Sequence, residues 1–371
     1  MSTTADIAII GGGIAGLSLA AAIGSRASVV VLETEPELFH HTSSRSAQQM
    51  QPTYGPAPVR RLTSASIPLV QRIADRLGAP IFTPRPLLWL HCSGVRDHFD
   101  ELLATVPGLE EIGADEAVRM LPALLREPLV DAAVDGSAVE VDVPVLLQAY
   151  RATAEEGGVR VLTGARVLGA ERRGDVWHVE TAAGPVEAAV VVDAAGAWAD
   201  QVGQAFGARS RGLVPKRRTV AVASSTTREV DPLWPMAADV ADRFYFRPRG
   251  TTILACALED VPSEPEDARS YPEVVREAIA RVNAATDLGL GEATSSWTGL
   301  RTLSPDALPV VGLDDEVPGF YWLAGQGGYG IQTSAALGSV VAADLLGDPH
   351  GLTGLDGVLD EIAPTRDAVL A

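Results

Sequence analysis

The hydrophobic pattern at the start of the chain predicts a strand, a glycine-rich turn, a helix and a second strand. Ile7 to Ile10 is a short apolar run that suits a buried parallel strand, and glycines at positions 11, 13 and 16 follow it in the spacing G-x-G-x-x-G. Ser28 to Leu32 supplies the second strand, and Glu33 follows directly after it. The pattern predicts a βαβ unit that holds the pyrophosphate of a dinucleotide at the N-terminus of its helix.

Each residue of this turn has a separate physical task. Gly11 permits the tight turn, Gly13 allows the backbone to approach a pyrophosphate, and Gly16 allows the helix to pack closely on the strand. Glu33 would accept hydrogen bonds from both hydroxyl groups of a ribose and would repel a 2′-phosphate. We therefore expect FAD or NAD and not NADP.

Beyond this unit, alternating patterns predict a mixed fold. Helices are expected at 59–78, 97–126 and up to Leu346, and strands at 82–91, 160–165, 189–195, 217–223, 243–249, 251–258 and 320–324, with a hairpin over 176–189. We expect an α/β fold, more fully an α+β two-domain protein with a Rossmann-like dinucleotide domain and an inserted antiparallel-sheet substrate domain. The dinucleotide domain is predicted at 1–81, 140–215 and 296–371, and the substrate domain at 82–139 and 216–295.

Composition excludes several classes of function. The net charge of -19 argues against nucleic acid and anionic membrane surfaces as partners, since both require a basic face. The apolar stretch from Ile7 to Ile23 lacks a basic flank and is interrupted by glycines, so we expect neither a signal peptide nor a transmembrane segment. Two cysteines, Cys92 and Cys256, are too few for a disulfide framework or a structural zinc site. We expect a cytoplasmic protein with no metal.

Two further polar stretches are candidates for phosphate binding. Ser43, Ser44, Arg45 and Ser46 offer hydroxyl groups and a guanidinium to phosphate oxygens, although an exposed serine-rich loop would have the same composition. The turn from Gly325 to Ser334 places backbone N–H groups at the start of the last long helix.

Several motifs together resemble a known family. GGGIAG with Glu33, TSSRSA, VVVDAAGAWAD, GLRTLSPDALPVVG and GQGGYGIQTS occur in the order seen in the D-amino-acid oxidase superfamily of flavoproteins, and the resemblance covers nearly the whole chain. Within it the chain looks most like the bacterial D-arginine dehydrogenases, which share the words S-x-R-S-A, Y-G, P-K-R-R, W-P-M, F-Y, W-x-G-L-R and Q-G-G-Y-G-I-Q-T-S.

The resemblance implies a bound FAD. The cofactor residues that it implies, together with those of the opening motif, are Gly11, Gly13, Ile14, Ala15, Gly16, Glu33, Thr34, Ser44, Arg45, Ser46, Val167, Ala195, Gly196, Trp198, Gly299, Gly327, Tyr329, Gly330, Ile331 and Gln332. We expect no covalent attachment, because neither cysteine lies in the stretch 297–306 where sarcosine-oxidase relatives attach the ring, and Ser46 stands roughly where dimethylglycine-dehydrogenase relatives have a histidine. His40 and His41 are offset from that position and are interpreted as loop or packing residues.

The resemblance also implies a carboxylate clamp. Arg301 matches the family arginine that pairs with the substrate carboxylate, and Arg218 with Tyr245 matches further substrate contacts. A guanidinium binds a carboxylate bidentately, and its fixed charge orients Cα toward flavin N5. Without the motifs, both arginines would be interpreted as surface salt bridges. The remaining candidate substrate residues are Tyr54, Gln49, Leu87 and Gly328.

Two positions depart from the D-arginine dehydrogenase pattern. Leu87 follows Pro84-Arg85-Pro86, where those enzymes carry a glutamate for a basic side chain, and Gln49 replaces an active-site histidine. If Leu87 lines the pocket, apolar D-amino acids should be better substrates than D-arginine, because an unpaired cation would have to lose its water against an apolar wall. The alternative is that Leu87 belongs to the core and a nearby acid serves instead.

The sequence therefore predicts FAD-dependent oxidation of a small-molecule D-α-amino acid, with an apolar side chain, to the imino acid. Hydride would pass from Cα to flavin N5, water would hydrolyse the product to a 2-oxo acid and ammonia, and oxygen or a quinone would accept the electrons. A secondary-amine (N-methyl or cyclic) amino-acid oxidase and a 2-hydroxy-acid dehydrogenase remain open as alternatives of the same fold. A non-catalytic flavin-binding subunit is the alternative of another class.

Overall fold

Two large sheets form the framework of the protein in a computed structural model that describes residues 2–370. The strands in that part of the chain are β1 (Thr3–Ile10), β2 (Val29–Leu32), β3 (Gln49–Met50), β4 (Phe82–Pro84), β5 (Leu87–Cys92), β6 (Glu110–Gly113), β7 (Leu129–Asp135), β8 (Val139–Val141), β9 (Arg160–Leu162), β10 (Val167–Arg173), β11 (Val176–Thr181), β12 (Val186–Asp193), β13 (Val214–Ala223), β14 (Met236–Asp239), β15 (Tyr245–Arg249), β16 (Thr252–Cys256), β17 (Val261–Pro262), β18 (Ala293–Leu303), β19 (Val310–Leu313) and β20 (Phe320–Ala324).

The α-helices pack mainly around the first sheet. They are α1 (Ile14–Ile23), α2 (Ala57–Leu77), α3 (Arg96–Thr105), α4 (Ala114–Met120), α5 (Val143–Glu156), α6 (Ala199–Ala205), α7 (Pro272–Ala285), α8 (Gly330–Leu346), α9 (Val358–Glu361) and α10 (Asp367–Leu370). One hydrophobic core joins α1, α2, α5 and α8 to the face of this sheet. No helix within residues 2–370 is both long and apolar enough to cross a membrane.

The first sheet has eight strands and a parallel centre. β1 pairs in parallel with β2 and β12, β2 pairs with β9, and β12 pairs with β20. β10, β11 and β19 add antiparallel pairs at its margins. Because the carboxyl ends of parallel strands meet at one edge, the loops after β1, β2, β12 and β20 converge there.

The glycine turn after β1 is closely packed. Gly11 has a φ of 111°, which favours glycine. A Cβ on Gly16 would lie 2.0 Å from the carbonyl oxygen of Gly11, so only glycine allows α1 to pack against the turn at this point. The predicted strand, turn, helix and second strand are confirmed.

The second sheet has nine strands and is antiparallel except for one pair. Its order is β17, β13, β16, β15, β14, β5, β7 and β6, with β18 on the free side of β13, and the parallel pair is β5 with β14. A small third sheet of β3, β8 and β4 lies beside it. The predicted combination of a Rossmann-like sheet and an antiparallel sheet is confirmed.

Several predicted elements differ from the structure. The helix expected over 97–126 is divided, because β6 separates α3 from α4 and pairs with β7. A single strand, β12, replaces the hairpin strand and the buried strand that were predicted on either side of position 189. Val167, which was expected to end the strand before it, is instead the first residue of β10. The strand pairs that set these bounds, β6 with β7 and β10 with β11, were not visible in the local patterns.

The predicted strand over 82–91 is broken at Arg85 and Pro86. Its first part, β4, lies at the edge of the small sheet, while β5 lies inside the second sheet.

The predicted domain boundaries remain a prediction. Strands of the two sheets alternate along the chain, as an inserted domain requires. However, β18 belongs to the second sheet and extends to Leu303, beyond the boundary expected near 296.

Candidate active site

A cavity of about 650 Å³ opens between the converging loops of the first sheet and one face of the second sheet. Most predicted cofactor residues line it. These are Gly11, Gly13, Ile14, Ala15, Glu33, Thr34, Arg45, Ser46, Val167, Ala195, Gly196, Trp198, Gly299, Gly327, Gly330, Ile331 and Gln332. Gly16, Ser44 and Tyr329 do not line it. Of the predicted substrate residues, Arg301, Arg218, Tyr245, Tyr54, Gln49 and Gly328 line the cavity, and Leu87 does not.

The glycine turn offers space for a dinucleotide. A Cβ on Gly13 would meet only the Ser43 hydroxyl oxygen, at 3.2 Å, so a substituent there would project into the cavity without touching the backbone. The N-terminus of α1 begins at the next residue. Unpaired N–H groups at a helix start attract anions, so this part of the cavity suits a pyrophosphate.

Glu33 is held in the position expected for a ribose ligand. Its carboxylate accepts hydrogen bonds from the N–H of Gly12 at 2.7 Å and the N–H of Glu35 at 2.8 Å, and only 9% of the residue is exposed. These bonds fix the side chain at the end of β2. Each carboxylate oxygen accepts one of them, which leaves further lone pairs for the hydroxyl groups of a ribose.

The serine and arginine segment has a different arrangement from the one expected. Arg45 donates to the carbonyl oxygens of Thr298 at 2.9 Å and Ala268 at 3.0 Å, and it forms an ion pair with Asp267. Its guanidinium therefore joins two protein segments beside the cavity. The Ser44 hydroxyl donates to the carbonyl oxygen of His41 at 3.0 Å, which accounts for its position outside the cavity lining.

Two other serines of this segment contact backbone N–H groups. The Ser43 hydroxyl oxygen accepts from the N–H of Ile14 at 2.9 Å, and the Ser46 hydroxyl oxygen accepts from the N–H of Gln48 at 2.9 Å. Ser43 therefore caps the start of α1 from outside the helix. Sequence composition identified the serines but could not assign their partners.

A group of possible metal ligands lies at the cavity rim. The ligand atoms of Glu35, His40 and His41 are all within 4.8 Å of one another. His41 Nε2 lies 3.1 Å from Glu35 Oε1, and the His41 ring packs on Trp198 with 4.7 Å between centroids. The contacts within this group are those of an ordinary hydrogen-bonded rim, and we assign no metal to it.

One row of side chains crosses the second sheet on its cavity face. Strand register places Trp89 opposite Ala238, Ala238 opposite Tyr245, Tyr245 opposite Cys256, and Cys256 opposite Val220. Directly opposed residues share a face, so five strands contribute to one wall. All but Cys256 line the cavity.

Leu87 lies on the same face but one row away from this wall. It pairs with Met236 and is fully buried in the cluster that packs beneath the cavity. Trp89, two residues further along β5, takes the position expected of Leu87 and is only 6% exposed. Leu87 is therefore not among the cavity-lining residues, as the alternative of a core position required; it shares a face of β5 with Trp89, and Trp89 is the residue of that face that reaches the cavity.

Arg218 and Arg301 lie on neighbouring strands and on the same face. Arg301 is opposite Lys216, and Arg218 is opposite Gly299, so the two arginines are diagonal neighbours. Arg218 lies 3.7 Å from Asp260. Arg301 has no ion pair with an acidic side chain in residues 2–370. Arg301 is therefore a fixed cation of the cavity that is available to an anionic ligand.

Phenol groups surround this cation. Burial opposes the charge of Arg301, yet the neighbouring Tyr54 and Tyr245 raise its pKa above the ordinary value, so the guanidinium stays charged. Burial also raises the pKa of Tyr245 well above its ordinary value, so its hydroxyl remains a neutral donor. At Arg301 the site combines a permanent positive charge with a neutral hydrogen-bond donor.

The loop that carries Gln49 and Tyr54 is anchored to the second sheet. Gln49 Nε2 donates to the carbonyl oxygen of Arg85 at 2.8 Å, and Arg247 Nε donates to the carbonyl oxygen of Ala47 at 2.8 Å. Glu140 joins the two arginines, accepting from Arg85 at 2.6 Å and from Arg247 at 2.9 Å. The loop therefore reaches the cavity in a fixed conformation.

Sequence reasoning missed three kinds of cavity residue. Trp89 and Ala238 needed strand register to be recognised, and Met236 lay inside the W-P-M word without an assigned role. Asp242, in the turn between β14 and β15, also lines the cavity. No sequence signal distinguished it from an exposed turn residue.

Comparison with known proteins agrees with this architecture. The model of the DAO family, described as FAD dependent oxidoreductase, matches residues 6–344. Glycine oxidase of Geobacillus kaustophilus is 25% identical over 91% of this chain and 92% of its own. Hydrogen cyanide synthase subunit HcnC of Pseudomonas aeruginosa is 28% identical over 66% of this chain, which spans 58% of that subunit.

The fold matches solved structures over almost the full length. The L-proline dehydrogenase of P. horikoshii superposes with a TM-score of 0.85 and 21% identity, covering 99% of this chain and 98% of that one. At this identity the likeness concerns the fold alone. The family match, which covers most of the chain, is consistent with the glycine turn, Glu33 and the cavity described above. The chain belongs to the DAO family of FAD-dependent oxidoreductases.

Proposed function

We propose that the protein oxidises a D-α-amino acid to the corresponding imino acid. The oxidation removes a hydride, which carries both electrons, from Cα and a proton from the amine; FAD, when bound, would supply the hydride acceptor, and water would hydrolyse the imino acid to a 2-oxo acid and ammonia. The observation that carries the proposal is Arg301, a charged guanidinium in the cavity with no acidic partner among residues 2–370. Such a group needs an anion, and the carboxylate of an amino acid supplies one.

The residues of the cavity divide the work. Gly13, Glu33 and the start of α1 would hold the pyrophosphate and ribose of FAD. Arg301 binds the substrate carboxylate, and the neutral hydroxyl of Tyr245 can donate a further hydrogen bond. Fixing the carboxylate restricts the substrate to orientations in which Cα can face the flavin, which is the main contribution that binding makes to rate.

The wall beside these residues favours an apolar first part of the side chain. Trp89, Met236 and Ala238 line the cavity and are each at least nine-tenths buried. Burying methylene groups against such a wall contributes about 0.8 kcal/mol for each group. This wall, and not Leu87, supports the proposal of an apolar side chain or stem.

A secondary amine is the second candidate substrate. A carboxylate bound at Arg301 would serve an N-methyl or cyclic amino acid equally well. The two candidates predict different substrates: a primary amine reduces the flavin in the first, and a secondary amine reduces it in the second.

The experiment is an anaerobic reduction screen of the purified flavoprotein. D-amino acids, their L-enantiomers, and N-methyl or cyclic amino acids are mixed separately with the enzyme, and the loss of flavin absorbance is followed. Fast bleaching by D-amino acids and not by L-enantiomers supports the proposal. Bleaching by secondary amines alone favours the second candidate, and no bleaching by any amino acid contradicts both.

Variants of Arg301 test the carboxylate site in the same assay. Arg301→Ala should lower kcat/KM on the order of a thousandfold, because a charge-assisted pair is lost, and Arg301→Lys should recover only part of it. Arg228→Ala is the matched control, since Arg228 pairs with Asp287 and does not line the cavity. An Arg301→Ala enzyme within a few-fold of wild type would place the carboxylate elsewhere.

A further inference from the structure

A carboxylate without an ionic partner lines the substrate end of the cavity. Asp242 lies in the turn between β14 and β15, and its side chain is exposed to the cavity. Two arginines near it have other partners, since Arg243 pairs with Asp239 at 2.6 Å and Arg218 lies 3.7 Å from Asp260, whereas Arg301 acts on it electrostatically without forming an ion pair. No ion pair in residues 2–370 involves Asp242. An unpaired anion at the wall of a binding cavity is available to a cation in the ligand.

The turn that carries Asp242 is held in place by a buried acid. Asp239 is fully buried and accepts hydrogen bonds from the N–H groups of Ala241 at 3.1 Å and Arg243 at 3.2 Å. Asp242 itself donates its N–H to the carbonyl oxygen of Asp239 and has a φ of 53°. Aspartate and asparagine tolerate this left-handed conformation better than most residues. The side chain is therefore presented by a fixed backbone.

Asp242 and Arg301 are thus two cavity charges of opposite sign that form no ion pair within residues 2–370. Gly328 packs against the guanidinium of Arg301, and Asp242 lies in the turn that follows β14. Trp89, Met236 and Ala238 form the apolar wall that lines the same cavity, and Met236 and Ala238 belong to the strand that leads into the Asp242 turn. A ligand that carries an anion, an apolar stem and a cation has a counterpart for each of these groups among the residues that line the cavity.

We propose that Asp242 is a specificity-determining residue that binds a cationic group at the end of the substrate side chain. The preferred substrates are then amino acids whose methylene stem ends in an ammonium or a guanidinium. This inference rests on the proposed function, because it takes Arg301 as the carboxylate site. It replaces the expectation that basic side chains are excluded, which depended on Leu87 lining the pocket.

The surroundings of Asp242 predict how this preference changes with pH. Burial raises the pKa of its carboxyl above the ordinary value, and Asp239 of β14 raises it further, whereas Arg218 of β13, Arg301 of β18 and His98 of α3 oppose the shift. The anion is needed to bind a cation. The preference in kcat/KM for a cationic over an uncharged side chain should therefore decline as the pH falls through this raised pKa. Protonation of Asp242 should not lower kcat/KM for a substrate with an uncharged side chain.

The first test compares two substrates of the same shape. D-Lysine and D-norleucine share a four-carbon stem, and only D-lysine ends in an ammonium. The wild-type ratio of kcat/KM for D-lysine to that for D-norleucine should exceed one, and Asp242→Asn should lower it by about tenfold or more, mainly through the KM of D-lysine. Asparagine retains the left-handed turn, so this variant should fold.

Asp100→Asn is the matched control for the change in charge. Asp100 lies on α3, pairs with Arg96 at 2.8 Å and does not line the cavity. The Asp100→Asn enzyme should keep the wild-type ratio of kcat/KM for D-lysine to that for D-norleucine. An Asp242→Asn enzyme with an unchanged ratio, or an equal fall in Asp100→Asn, overturns the assignment of Asp242.

The second test measures binding without turnover. Pentanoate and 5-aminopentanoate are titrated into the oxidised holoenzyme, and dissociation constants are read from the change in the flavin spectrum. 5-Aminopentanoate should bind about tenfold more tightly than pentanoate to the wild type and equally to Asp242→Asn. Equal affinity in the wild type, or a difference that survives the substitution, overturns the inference.

The two tests separate this inference from the proposed function. If neither amino acid bleaches the flavin but the binding difference is present and depends on Asp242, the proposed reaction fails and the cation site stands. If D-norleucine bleaches the flavin and neither ratio depends on Asp242, the reaction stands and the cation site fails.

Discussion

Gly328 packs directly against the guanidinium group of Arg301. A Cβ on Gly328 would lie 2.7 Å from Cζ of Arg301 and 2.9 Å from both Nε and Nη1. Glycine at this position therefore determines where the cation can lie. The relationship links the turn before α8 to β18, two segments that reach the cavity from different sheets.

Gly328→Ala should leave the protein folded and loaded with FAD but should impair substrate binding. The end of a long side chain can move, so the methyl group displaces the guanidinium at little cost to stability. A misplacement of about 1 Å can lower kcat/KM by about a hundredfold. Steady-state kinetics measure the effect, and Gly169→Ala, where a Cβ meets nothing within 4 Å, is the control. Kinetics equal to wild type in both variants would contradict the steric argument.

Gly13→Val and Gly16→Ala should fail in different ways. Gly13→Val should fold without FAD, because its side chain would project into the cavity where the pyrophosphate is expected. Gly16→Ala should lower the free energy of unfolding by about 1–3 kcal/mol, since its Cβ meets a carbonyl oxygen that cannot move aside. Flavin content and the thermal midpoint of the apoprotein measure the two effects. Stoichiometric FAD in Gly13→Val would disprove the assigned role of that glycine.

Leu87→Glu should destabilise the protein without creating a preference for D-arginine. Leu87 is fully buried beneath the cavity, and an unpaired carboxylate there costs several kcal/mol. Leu87→Met, which conserves volume, should cost less than about 1.5 kcal/mol. Chemical denaturation compares the two variants. A stable Leu87→Glu enzyme with a higher D-arginine to D-leucine ratio would restore the expectation drawn from the sequence.

The flavin should leave the protein on acid precipitation. Cys92 and Cys256 are both buried and neither lines the cavity, so no thiol is placed to bond the ring. His40 and His41 do line the cavity rim, which makes them the residues to test. Yellow colour in the supernatant of the wild type is the expected result. Flavin retained in the wild-type pellet and released by His41→Ala would show a histidine linkage instead.

Local sequence was sufficient for the opening unit. Gly11, Gly13 and Gly16 form a turn whose requirements are met within a few residues, and Glu33 follows the next strand. The prediction succeeded there because the physical constraints lie close together in the chain. Arg301 was likewise recognised from its motif, and the structure brings it to the predicted cavity.

The remaining details depended on contacts between distant segments. Leu87 and Trp89 lie on the same face of β5, and which of them reaches the cavity depends on where the distant strand β14 and the cavity loops lie along β5. The partners of Arg45 lie more than two hundred residues away, at Ala268 and Thr298. Sequence reasoning identified these side chains by type, but register and partner choice come from the assembled sheet.

The row from Trp89 to Val220 has a consequence for how this cavity can change over evolutionary time. Each wall residue lies opposite its pairing partner on the next strand, so an insertion or deletion of one residue within β14 would turn the residues on one side of it, Met236 or Ala238, to the opposite face of the sheet. Such a change removes the part of the wall that β14 contributes. Substitutions within the row can therefore change the shape of the cavity while the sheet is kept. Insertions and deletions are tolerated only in the turns between the strands of this sheet.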